Sequence, residues 1–249
     1  MKQLFMVLVV CSLVLMACEF SAELGGLVET IEGSGNVISE ERVVPDFTNI
    51  NILGSGDLII TQGEECSLTV ETDDNLMAFV KTEVNGDTLE LGFTSQARTK
   101  NLQTSRGFVY HATVRQLDSV DIGGSGRIFA DGIEGAGLVI RLSGSGEVSI
   151  GALVVGDLTV QIIGSGEFEL SGEAARQSYL IAGSGTVEAG DLRGEAVVVT
   201  IPGSGAVTVW ATESLAVNMA GSGSVAYYGD ASVTHSILGT GNLSSLGVK

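Results

Sequence analysis

Residues 141–150 read RLSGSGEVSI. At the centre is Gly144-Ser145-Gly146, a tripeptide that would suit a linker or a phosphate-binding loop. It occurs eight times in the 249-residue chain, and Gly239-Thr240-Gly241 is a near copy. The first glycines stand at 33, 54, 124, 144, 164, 183, 203, 221 and 239, so the intervals are 21, 70, 20, 20, 19, 20, 18 and 18 residues. A period held near 20 residues and broken once is the signature of stacked structural repeats.

The flanks of each triplet carry a second regularity. Four residues after the first glycine stand Val37, Leu58, Ile128, Val148, Phe168, Val187, Val207, Val225 and Leu243, all apolar. Two residues before it stand Ile52, Ile122, Leu142, Ile162, Ile181, Ile201, Met219 and Ile237. Polar residues such as Arg141, Gln161, Thr200 and Asn218 fall between these and the next apolar row. Alternation with period two marks strands buried on one face. The parity runs unbroken through the triplet, which turns both glycines inward and the serine outward. Glycine then serves an inside corner, and the serines form an external ladder.

A unit of this length cannot bury its own apolar face, but stacked copies can, each pairing with the next at about 4.8 Å. The pattern predicts an all-β, right-handed parallel β-helix, or β-solenoid, with coils of about 20 residues. Nine coil starts with extra strands predict a rod on the order of 50 Å tall. The long interval still reads as strands, with Asn85-Gly86 as a turn signal. Residues 57–123 are therefore expected to form wider, irregular coils, with a projecting loop at 94–107.

The N-terminus reads differently. Lys2 precedes an apolar run that ends at Leu15-Met16-Ala17-Cys18. The run is short for a bilayer span and suits a signal-peptide core, and its end resembles a bacterial lipobox. Residues 1–17 are expected to be a lipoprotein signal peptide, Cys18 the lipidated residue, 18–32 a tether, and 33–249 one β-helical domain. Several acyl chains on one residue would anchor the chain stably to a membrane. Removing 1–17 leaves 11 basic against 30 acidic residues, a net charge of −19. Such a chain is a poor partner for nucleic acid or anionic lipid surfaces. With Cys11 removed and Cys18 lipidated, Cys66 is the lone free cysteine, so there is no disulfide framework.

No motif carries recognisable catalytic chemistry. No Gly-Lys-Ser/Thr follows any triplet, the dinucleotide fingerprint fails at Phe129, and the calcium repeat GGxGxD, begun at Gly123, has Arg127 and then Ile128 where its aspartate should stand. The two histidines, His111 and His235, cannot make a zinc triad with one cysteine. No catalytic residue or cofactor is expected. Coil stacking does place Glu147 beside Glu167, and Glu169 beside Glu188, at about 5 Å on the outer face. These four are weak candidates for a cation site; a solvated acidic face is the plainer reading. Trp210 and Tyr228 each stand seven residues after a first glycine, on consecutive coils. They could form an aromatic ledge for sugar rings or a ladder closing the rod. Arg98, Lys100 and Arg106 make a basic island in a stretch without acids, suited to an anionic glycan or to the protein's own carboxylates.

The leading segment RVVPDFTNINILGSGDLIITQGEECSLTVETDDNL, followed by VNGDTLELGF and the SGSG-bearing repeats, resembles the putative auto-transporter adhesin, head GIN domain family, over roughly residues 37–240. The resemblance implies a β-helical fold and no established catalytic residues. Together these features predict a non-enzymatic, lipid-anchored cell-envelope protein with an adhesin-like, binding or scaffold role, and glycans or envelope proteins as partners. A carbohydrate-active β-helix enzyme and an envelope assembly or stress component with a protein partner are the alternatives.

Overall fold

The computed structural model describes residues 29–249, and Cys18 with the expected signal peptide lies outside them. Strands make up 69% of the structure, and parallel coils stack into a β-solenoid. The N-terminal strands are β1 (Glu29–Glu32), β2 (Val37–Arg42), β3 (Asn49–Gly54), β4 (Asp57–Gln62) and β5 (Ser67–Asp73). They are followed by β6 (Val80–Asn85), β7 (Thr88–Phe93), β8 (Lys100–Gln103) and β9 (Val109–Val114). The regular body comprises β10 (Ser119–Gly124), β11 (Arg127–Ala130), β12 (Ile133–Gly144), β13 (Glu147–Gly164), β14 (Glu167–Ile181) and β15 (Thr186–Ile201). It ends with β16 (Ala206–Met219), β17 (Ser224–Tyr228), β18 (Ser232–Ile237) and β19 (Asn242–Gly247).

The body follows the expected register. Ile122, Leu142, Ile162, Ile181, Ile201 and Met219 stack in one inward row, and Ile128, Val148, Phe168, Val187, Val207 and Val225 in another; none is more than 2% exposed. Every turn adds a layer to both rows, so the apolar face that one coil exposes is covered by the next. At four successive corners, those of Ser145, Ser165, Ser184 and Ser204, the serine amide donates to the first-glycine carbonyl of the preceding coil, as from Ser165 to Gly144 at 2.9 Å and Ser184 to Gly164 at 2.9 Å. The approach is close enough to demand glycine. A Cβ at Gly164 would lie 2.0 Å from the Gly144 carbonyl oxygen. Ser145, Ser165, Ser184, Ser204 and Ser222 are exposed, as the outward ladder requires.

The irregular stretch departs from the expectation. It does not add wider coils in line. β3–β4 stack directly on β10–β11, so the corner at Gly54 adjoins the one at Gly124 across a 70-residue excursion. The excursion returns on the other side of β3–β4. There β7 pairs with β3 and β9 with β4, placing Leu91 on Ile52 and Tyr110 on Leu58. This composite coil, made of two separate strands, closes the core at that end. Antiparallel pairs then complete a cap: β6 with β7 through the Asn85-Gly86 turn, β5 with β9, and β2 with β5.

Two further expectations change. Residues 94–107 do not project: Ala97 is buried in a single 3-10 turn, and β8 pairs with β1. Glu29–Glu32 therefore belong to the fold, four residues inside the stretch expected as tether. The first triplet is not a coil corner either. Eight corners stack, from Gly54 to Gly239, which spans about 34 Å at the spacing of paired strands.

Gly33-Ser34-Gly35 instead wraps a buried acid. Asp73 is 0% exposed and accepts hydrogen bonds from the Gly35 amide (2.8 Å), the Ser105 amide (2.8 Å) and the Ser105 hydroxyl (2.7 Å). The Ser105 bonds first, and the Gly35 bond after them, hold its carboxyl below the ordinary aspartate range against the opposing effect of burial. Asp74 accepts from the Ser34 hydroxyl and the Asn36 amide group, and Asn75 from the Ser34 amide. One short acidic run thus pins three segments of the cap together.

Candidate functional site

The C-terminal end of the rod is where side chains of different kinds converge. Trp210 on β16 and Tyr228 on β17 are register partners on consecutive coils. Both are half-buried, so their rings form a partly open ledge. Lys249 lies across it, its ammonium nitrogen 5.4 Å from the Trp210 ring centroid and 5.0 Å from that of Tyr228. The same nitrogen donates to the Gly190 carbonyl at 2.7 Å and forms an ion pair with Asp191.

An irregularity in the stack brings Gly190 and Asp191 there. Between Ala189 and Arg193 β15 has three intervening residues, whereas their partners Val209 and Trp210 on β16 are adjacent. The extra chain bulges outward and presents a carbonyl and a carboxylate to the ledge, a recurrent use of bulges. Gly190 also gives the Tyr228 ring room, since a Cβ there would lie 3.3 Å from Tyr228 Cε2 and 3.2 Å from Thr208 Cγ2. Ser171, Thr208, Glu169 and Glu188 join them around a recess of about 280 Å³.

The predicted carboxylates divide between two places. Glu169 and Glu188 are register partners and line this recess. Glu147 and Glu167 are also partners, but both point into solvent below Arg127. Arg127 is committed elsewhere: its guanidinium bonds Asp57 through two nitrogens at 2.9 and 2.5 Å. Among the described residues no three His, Cys, Asp or Glu side chains gather into a group that could hold a metal ion. His111 and His235 are exposed; the inward row reaches His235 on a terminal coil that, among the described residues, pairs only on one side. Cys66 is half-buried, its sulfur 3.7 Å from the Phe47 carbonyl.

The basic island does not meet the ledge. Arg98, Lys100 and Arg106 lie on the cap, at the opposite end of the stack. Lys100 pairs with Glu29 at 2.5 Å, Arg98 lines a separate recess of about 320 Å³ with Leu53, Lys81, Glu90 and Phe93, and Arg106 is exposed. Outward ion pairs between coils, absent from the sequence reading, neutralise other acids: Arg141 with Asp121 at 3.2 Å and Arg176 with Asp157 at 2.5 Å.

Lys249 and the Gly190–Asp191 bulge were not anticipated. The spacing carried a trace of the bulge. The interval from Gly183 to Gly203 is 20 residues, while the next two are 18, so that coil has residues its neighbour cannot match.

The model of the family described as putative auto-transporter adhesin, head GIN domain matches residues 46–231. The chain belongs to this family. A putative adhesin from Bacteroides fragilis has a solved structure with a TM-score of 0.77 and 28% identity, covering 87% of this chain and 100% of its own. A putative lipid binding protein from Parabacteroides distasonis gives a TM-score of 0.74 and 26% identity over 88% of this chain and 100% of its own. A putative adhesin from Parabacteroides merdae, at 21% identity and a TM-score of 0.72, covers 88% of this chain and 100% of its own, and shares the fold. No curated protein gave a match. Membership in the head GIN family points to an adhesin-like role at the cell envelope or surface. Among the described residues no helix is long and apolar enough to cross a membrane.

Proposed function

We propose that this head GIN protein is a lipid-anchored envelope protein whose solenoid holds a non-enzymatic binding surface away from the membrane. The polarity of the rod carries this reading. The cap contains Glu29, eleven residues after Cys18, while the Trp210–Tyr228 ledge sits at the far end of the stack. A lipid on Cys18 would fix the cap near the bilayer and present the ledge outward. The similarity to solved adhesin-like proteins supports a binding role. The carboxylate pairs favour binding over glycoside cleavage, because Glu147, Glu167, Glu169 and Glu188 are all exposed and a cleaving pair needs one acid held protonated in a sheltered cleft. Arg98, Lys100 and Arg106 form a second, membrane-proximal candidate surface for anionic ligands.

Fractionation of cells expressing the wild type and Cys18→Ala tests the anchor. The wild type is expected in the membrane fraction and the variant in the soluble fraction; a variant that stays with membranes would sink the anchor. Retention of an envelope glycan or protein by the wild type, lost in Trp210→Ala/Tyr228→Ala, is the corresponding test of the surface.

A further inference from the structure

We infer that the ledge is a binding site for the ammonium group of an amine ligand, and that Lys249 is its built-in occupant. The inference deepens the reading of Trp210 and Tyr228 as a ligand surface and does not depend on the lipid anchor. Three independent features converge on one point. Two aromatic faces on adjacent coils lie 5.4 and 5.0 Å from a single cationic nitrogen, the arrangement in which ring quadrupoles attract an ammonium. A backbone carbonyl and a carboxylate take two of that nitrogen's hydrogens, and the bulge between Ala189 and Arg193 is what delivers them. The recess of about 280 Å³ is larger than an ammonium needs, with Glu169 and Glu188 adding negative charge to its wall.

The chemistry specifies the ligand class. A neutral sugar would gain stacking on the rings but leave the carbonyl and carboxylate without a cation. A primary amine satisfies the rings, Gly190 and Asp191 together, as Lys249 does. Two sources supply such a group at this size: an unbranched alkylamine, such as a lysine side chain, or a 2-amino sugar, whose ring would also fill the remaining recess. Lys249 competes with either. Its side chain is 33% exposed and that of Asp191 78%, so the internal contact is open to displacement. A tethered group competes at an effective concentration of about millimolar, so it raises the concentration of any added amine needed to fill the site in the wild type.

Trp210 is the single tryptophan of the chain, so its fluorescence reports this site alone. The experiment titrates the full chain, as wild type, Lys249→Ala and Lys249→Ala/Asp191→Asn, with butylammonium chloride, glucosamine and N-acetylglucosamine at fixed ionic strength. In Lys249→Ala an amine probe is expected to shift Trp210 emission at roughly a tenfold lower concentration than in the wild type. In Lys249→Ala/Asp191→Asn the response should weaken by about tenfold again, to near the wild-type level. Stronger binding of butylammonium assigns a linear amine, and stronger binding of glucosamine an amino sugar; both support the site. Equal responses to glucosamine and uncharged N-acetylglucosamine would overturn the ammonium assignment while leaving the ledge as a sugar surface. No response to any probe in a Lys249→Ala protein with an unchanged circular dichroism melt would overturn both.

Discussion

Gly35 closes one copy of the repeated tripeptide and Gly164 opens another, and different forces require them. Gly35 has a φ of +80° and open space where a Cβ would go, so only its backbone conformation excludes other residues. Gly164 has a φ of +146°, but its more stringent constraint is the Gly144 carbonyl oxygen 2.0 Å from a hypothetical Cβ. The later corners sharpen the point. Gly183, Gly203 and Gly221 have no left-handed φ, and a Cβ would still lie 2.0, 2.4 and 2.0 Å from the carbonyl of the coil before. In the body, glycine is demanded by the neighbouring coil; in the cap, by the local turn around Asp73. One motif has been used for two architectures, parallel stacking and an antiparallel lid.

The largest expected effect lies in the body. Gly164→Ala must push two coils apart at a corner with coils on both sides, and is expected to cost about 4 kcal/mol or more, or to prevent folding. Chemical denaturation of the purified protein reads this directly. A variant that melts with the wild type would mean the coils are not packed as tightly as the stacking implies.

Asp73→Ala comes next and acts on the cap. It leaves the Gly35 amide and the Ser105 amide and hydroxyl without their buried acceptor, a loss of about 3 kcal/mol. Hydrogen exchange should accelerate at Gly35 and Ser105 while the amides of β13 and β14 keep their protection. The same residue makes a pH prediction. Its carboxyl is held below the ordinary 3.8 in the folded state, so its stabilisation is complete above that value and lost as pH falls through the lower folded-state value. The stability difference between the wild type and Asp73→Asn should therefore be flat at neutral pH and narrow below pH 3.8. A gap that persists unchanged in stronger acid would remove the charged form of Asp73 from the account.

The contrast between body and cap also explains what could be read in advance. The solenoid announces itself because each coil repeats its neighbour's demands, and Leu142, Ile162 and Val148 sit where the period puts them. In the cap the strands were legible one by one, including the β6–β7 hairpin at Asn85-Gly86. Their partners were not, because pairing β7 with β3 across the excursion, or β5 with β9 in reverse, leaves no local periodicity. Asp73 looked like one acid in ETDDNL. Its role depends on loops 30 to 40 residues away, at Gly35 and Ser105. The ledge was half legible: Trp210 and Tyr228 followed from the period, whereas Lys249 lies beyond the last corner and Asp191 on a bulge that breaks the register.

Gly35→Ala separates backbone strain from steric contact. Nothing lies within 4 Å of the new Cβ, so the cost should be that of the left-handed conformation alone, about 1–2 kcal/mol. Equilibrium melts of Gly35→Ala and Gly164→Ala in the same buffer check the ranking. If the two variants lose equal stability, the distinction drawn between cap and body glycines fails.

The smallest effect is expected at the body's outer charges, although their geometry looks strong. Arg176 donates through two nitrogens to Asp157 at 2.5 and 2.6 Å, and each partner shifts the other's ionisation: Asp157 downward, Arg176 upward. Their side chains are 68% and 57% exposed, so water and salt screen what the distance suggests. Asp73 has no such screening, which is why a single aspartate in the cap should outweigh this whole pair in the body. Asp157→Asn is accordingly expected to leave the denaturation curve almost where the wild type has it, in low and high salt alike. A loss comparable to that of Asp73→Ala would show that the coils depend on their surface ladders as well as on the buried rows.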